Sequence, residues 1–172
     1  MKLVEFEIQR QDWASIRCGC GESAEHVGPE LLRIARGEAE GLNGLEGHVF
    51  MPSVVFEPAL PAVSVALAAL ADTVGASVRE VFAHLLLQIL ASEGQSIEAA
   101  RAGMDLLQGC RVVAEGGRWL LYSEVIRGAT VDGASYLFEA LGLLEGDLDR
   151  LDAIREIASD NLRWDLKLSA AD

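Results

Sequence analysis

The sequence predicts an all-α domain, a compact bundle of antiparallel helix hairpins. Three observations predict it. Apolar residues recur at spacings of three and four through Leu60–Leu90, which puts them on one face of a helix. Half of the chain is hydrophobic (51%) while aromatics are only 6%, a balance that suits Leu/Ala-rich helices over sheets. Gly, Ser and Asp punctuate the apolar runs at positions where helices start and stop. A chain of 172 residues forms one domain by the length prior and is long enough to bury its own core. The expected layout is a single α-helical domain over 1–172, with an N-terminal arm and helix over 1–44, a helical core over 45–165 and a loose tail over 166–172.

In chain order, Val4, Phe6 and Ile8 alternate with Glu5, Glu7 and Gln9, which suits a short N-terminal edge strand, with a frayed helix start as the competing reading. Asp12 can cap a turn leading to Trp13 and Ile16. Cys18-Gly19-Cys20-Gly21 then breaks the chain, since glycine tolerates conformations that other residues avoid. Ser23 opens a helix that carries Leu31, Leu32 and Ile34 inward. Residues 37–47 read as a glycine-bearing, mobile linker. The segment from His48 to Phe56 reads as a short helix or an extended piece, because Pro52 forbids a long central strand.

The centre of the fold is the pair of runs from Leu60 to Leu90. The first ends at Asp72 and Gly75, and Ser77 with Glu80 forms a capping box for the second. So short a break requires an antiparallel hairpin. Ser96 caps a further helix that Gly109 ends, and another follows the Gly116-Gly117 break from Trp119 to Ile126. Asp132 can cap the next, which carries Tyr136 to Leu144, and a last helix spans about Leu148 to Leu162.

Leu70-Ala71-Asp72, Val78-Arg79, Ala83, Leu86 and Leu90 together resemble one HEAT-type repeat. The resemblance implies a polar ladder in which Asp72 and Arg79 link neighbouring repeats. No second Asp…Val-Arg pair recurs at the repeat period, so the expectation is a compact HEAT-like or armadillo-like bundle and not a regular solenoid.

A formal net charge of −13 disfavours nucleic acid and anionic membranes and favours a basic protein partner. In the last helix Asp149, Asp152, Glu156 and Asp160 fall three and four apart, a continuous acidic stripe that is either a solvated face or a docking surface. Small, acidic, helical proteins of this kind are similar to the immunity proteins of bacterial toxin systems. That similarity implies an inhibitor that masks the positive site of a toxin such as a nuclease. A scaffold or adaptor with an apolar groove along Leu60–Leu90 is the second expectation. A small enzyme using His48, Glu57 and His84 is the third.

Three cysteines, Cys18, Cys20 and Cys110, form no disulfide framework, and the N-terminal residues form no apolar signal segment, so a cytoplasmic protein is expected. Zinc sites usually use Cys-x₂₋₄-Cys pairs, whereas Cys18 and Cys20 are separated by one residue. The expectation is therefore no metal and no cofactor, with these thiols as small apolar groups in a tight turn. Nor does a phosphate-binding glycine loop or a nucleophile elbow occur, so no catalytic residue is expected.

Overall fold

The structure, a computed structural model, describes residues 1–39 and 41–167. Its architecture is helix packed on helix around one buried cluster, with a three-stranded sheet of two-residue strands at one side. The helices are α1 (Lys2–Gln9), α2 (Val27–Ala35), α3 (Ala59–Ala71), α4 (Ala76–Leu90), α5 (Ile97–Arg101), α6 (Leu106–Gly116), α7 (Arg118–Arg127), α8 (Val131–Leu144) and α9 (Leu148–Ile157).

The α3–α4 hairpin is central. On α3, Ala62, Val63, Ala66 and Ala69 are fully buried, and their small side chains admit α1 and α6 closely on either side. On α4, Phe82, Leu85 and Leu86 are fully buried; α8 lies against another side of the helix, where His84 stacks on Tyr136 and Gly133 comes close to Glu80, and α7 packs against α8 in turn. A helix so apolar around its girth belongs in the interior, as the spacing predicted. Arg79 ties the hairpin together. Its guanidinium donates to the carbonyls of Leu70 at 2.5 Å and Asp72 at 2.6 Å and to the buried Glu124 carboxylate of α7 at 2.9 Å. The Asp72 carboxylate turns the other way. It accepts from the Met1 amine at 2.7 Å and from the Leu3 amide at 2.9 Å. That amine, and the amides after it, hold the Asp72 carboxyl well below the usual carboxylate range against the opposing effect of burial.

Several elements differ from the sequence expectation. Leu3–Ile8 lies in helix α1 and not in an N-terminal strand, because Asp72 satisfies the orphan amides of its first turn. Gly75, not Ser77, occupies the N-cap of α4, and Ser77 lies within its first turn. Thr130, not Asp132, caps α8, accepting from the Gly133 amide at 3.0 Å. The helix expected from Ser96 to Gly109 is two helices. Ser96 does cap α5, but Gly103 breaks the chain and Asp105 starts α6, which runs straight through Gly109. Gly109 is accommodated there because its missing Cβ lets Leu60 approach. The last helix stops at Ile157, and Ser159–Asn161 and Trp164–Leu166 are single 3₁₀ turns. The expected tail falls mostly on residues 168–172, which lie outside the described residues.

The stretch between α2 and α3 is built of turns, with Leu42 and Leu45 buried as anchors. It contains β1 (Phe50–Met51) and β2 (Val54–Val55), an antiparallel pair turned by Ser53. Beyond α4, β3 (Gly94–Gln95) pairs in parallel with β2, with Val54 opposite Gly94 and Val55 opposite Gln95. No helix among the described residues is long and apolar enough to cross a membrane.

Candidate metal centre and acidic face

Residues 16–24 fold back on themselves. The Ala24 amide donates to the Ile16 carbonyl at 2.9 Å, the Cys18 amide to the Glu22 carbonyl at 2.8 Å, and Arg17 and Ser23 form an antiparallel bridge. At the tip the Gly21 amide closes onto the Cys18 carbonyl at 2.9 Å, and Gly21 itself has φ +91°, a conformation that other residues rarely adopt. This knuckle carries Cys18, buried, and Cys20, exposed. Its inner edge docks on the loop before β1. The Gly19 amide donates to the His48 carbonyl at 3.0 Å, so closely that a Cβ on Gly19 would stand 2.4 Å from the Gly47 oxygen and 2.6 Å from the Phe56 ring. A 3₁₀ turn over Ala24–His26 follows the knuckle and presents His26 at its end.

These three segments bring four side chains to one place. The Cys18 sulfur lies 3.4 Å from His26 Nε2 and 3.3 Å from His48 Nδ1, and the two ring nitrogens lie 2.9 Å apart. With Cys20, all four donor atoms lie within 4.8 Å of one another. The imidazoles meet edge to face at 75°. Burial pushes the Cys18 thiol up, and burial together with the neighbouring His26 pulls the His48 imidazole down. These residues could supply the sulfur and nitrogen donors of a transition-metal site.

Sequence reasoning expected the two cysteines to be small packed thiols; only Cys18 is buried, and Cys20 is exposed. It missed the convergence because His26 and His48 are 8 and 30 residues from Cys18. The available signal was a doubled Cys-Gly followed by two histidines, one on either side of the next helix.

The other residues singled out from the sequence lie elsewhere. Asp149, Asp152 and Glu156 are exposed on α9, and Asp160 is exposed on the following 3₁₀ turn. Asp152 pairs with Arg155 of its own helix, whereas among the described residues Asp149, Glu156 and Asp160 form no ion pair. Exposed apolar side chains stand among them, with Leu148 69%, Ile157 65% and Trp164 77% accessible. Glu57 accepts from the Arg17 amide at 3.1 Å. His84 stacks on Tyr136 and approaches Gln88 at 3.0 Å, and burial lowers its pKa. No hydrogen bond or ring contact among the described residues joins His84 to His48 or Glu57. A third group is a buried carboxylate. Glu145 accepts from the Tyr122 hydroxyl and pairs with Arg150 at 3.1 Å and Arg118 at 3.6 Å, and the tyrosine hydroxyl first among these brings its carboxyl down to about 2.

No family model, curated protein or solved structure matches this chain.

Proposed function

We propose that this is a non-enzymatic protein-binding protein whose acidic C-terminal face docks a basic protein. The observation that carries this reading is the set of carboxylates at Asp149, Asp152, Glu156 and Asp160, exposed and, among the described residues, mostly without ion pairs, alternating along the chain with exposed Leu148, Ile157 and Trp164. Exposed carboxylates steer a positively charged partner and set its orientation. Large apolar side chains, tryptophan above all, supply the desolvated anchors that interfaces draw their energy from. A solvated face needs only the first of these features.

In its narrower form the proposal is an immunity or inhibitor protein of cytoplasmic, bacterial origin, masking the nucleic-acid-binding site of a toxin nuclease. A net charge of −13 on the whole chain supports it, since such a site is itself a patch of Lys and Arg built to hold phosphates. The HEAT-like arrangement of the helices belongs to the same proposal.

The test compares the wild-type chain with a double charge reversal, Asp149→Lys with Glu156→Lys, as baits in native lysate at low and high salt. The expected result is a basic protein retained by the wild type at low salt, released at high salt, and lost from the variant at both. Equal retention by both baits removes the acidic face from the interaction. A partner held with no salt dependence favours instead an adaptor that binds through an apolar groove.

A further inference from the structure

We propose that Cys18, Cys20, His26 and His48 bind one zinc ion in a tetrahedral site formed by the turns ahead of α3. The proposal is independent of the charge-based reading of the opposite end of the chain.

The geometry points to a cation at the centre. A zinc ion with sulfur ligands near 2.3 Å and nitrogen ligands near 2.05 Å requires about 3.3 Å between two nitrogens and about 3.6 Å between nitrogen and sulfur. The separations here are 2.9 Å for the nitrogen pair and 3.3 and 3.4 Å for the two sulfur–nitrogen pairs. The donors are already gathered to within a few tenths of an ångström of those spans, and Cys20 completes the set within 4.8 Å.

Hydrogen bonding alone does not account for the arrangement. Cys18 Sγ, His26 Nε2 and His48 Nδ1 form a closed triangle in which every atom faces the other two. An imidazole nitrogen has one in-plane direction, used either by its proton or by its lone pair. It cannot serve two partners of the triangle at full strength. A single cation inside the triangle receives all the lone pairs at once. Two thiolates with two neutral imidazoles are the donors of a structural zinc site, and their mixed softness selects zinc over magnesium or calcium, which take oxygen. On binding, both thiols release their protons to solvent and the ion takes their electron pairs.

The one-residue spacer between the cysteines is compensated by the backbone. The close docking of Gly19 on the His48 loop lets the knuckle bring the Cys18 sulfur to 3.3 Å from that histidine and the Cys20 sulfur within 4.8 Å of it. The ion would link the knuckle, the 3₁₀ turn at His26 and the loop at His48, three segments with little regular structure of their own.

The experiment measures zinc content by elemental mass spectrometry on the purified full chain, then titrates the metal-free chain with Zn²⁺ and Co²⁺ against a chromophoric chelator. The expected result is about one zinc per chain, a tetrahedral cobalt spectrum with thiolate-to-cobalt charge transfer, and an affinity reduced roughly 100-fold or more in Cys20→Ser and in His26→Gln. Both of those side chains are exposed, so these variants retain the fold, checked by circular dichroism. An octahedral cobalt spectrum, no stoichiometric zinc at micromolar free metal, or unchanged affinity in both folded variants overturns the proposal.

Discussion

The arm over residues 10–58 and the helical body from Ala59 onward are held together by different means. In the body, order comes from apolar periodicity. Phe82, Leu85, Leu86, Leu121 and Leu141 are fully buried, and each helix is fixed by the face it presents to its neighbours. In the arm, α2 packs in the same way through Val27, Leu31 and Ile34, but the turns on either side of it are ordered by points. Trp13 donates from its indole to the Ile8 carbonyl at 2.9 Å, Leu42 and Leu45 plug the turns, and Gly19 admits a backbone approach that no other residue permits. The body spreads its stability over many apolar contacts; the arm shares in that core through α2, Val49 and Val55, but its turns depend in addition on a few polar and steric contacts. A substitution should therefore act globally in one and locally in the other.

The cysteines report on the two regions separately. Cys18 sits in the arm, and Cys110 sits in α6, where burial pushes its thiol up to about 12. The largest effect is expected for Phe82→Ala, which removes a fully buried ring from α4 and should cost about 4 kcal/mol. Denaturant unfolding by circular dichroism should show it, and both Cys18 and Cys110 should become reactive together. Exposure of Cys110 with Cys18 still protected would mean the arm stands without the body. Next comes Gly19→Ala, whose Cβ would meet the Gly47 oxygen and the Phe56 ring, at a cost of about 2 kcal/mol. Alkylation of Cys18 should speed up while Cys110 stays protected and the helical signal is unchanged. Loss of helicity would erase the distinction between the regions.

Tyr122→Phe is expected to have a smaller effect. The Glu145 carboxyl is held down to about 2, so its contribution is present above the ordinary carboxylate range and is lost as the pH falls through about 2. Removing the tyrosine hydroxyl brings that pKa up, and the acid unfolding midpoint, followed by circular dichroism, should move to higher pH. The smallest effect is expected for Asp149→Lys with Glu156→Lys, within about 0.5 kcal/mol of the wild type in denaturant, because both side chains are exposed and without ion pairs among the described residues.

The same contrast explains which parts could be read from the sequence. Leu60–Leu90 announced its hairpin because burial writes a period of three and four into the residues. Ser96 gave its cap correctly for the same local reason. Gly109 misled, because helix propensity is a weak prior and the packing of α6 against Leu60 overrides it. The two-residue strands carry too few positions for any alternation to register. The gathering of His26 and His48 around Cys18 could not be read from spacing, since it is made by contacts across 8 and 30 residues, and the doubled Cys-Gly with two histidines after it was a trace of composition alone.

The short parallel ladder between β2 and β3 joins the chain just before α3 to the chain just after α4. The Ser96 amide bonds the Val55 carbonyl at 2.9 Å, and the Gly94 amide bonds the Ser53 carbonyl at 2.9 Å. The two ends of the α3–α4 hairpin are thus clasped side by side. The ladder therefore acts as a buckle on the central hairpin, and β1, which follows the loop bearing His48, is fastened to the same strand β2.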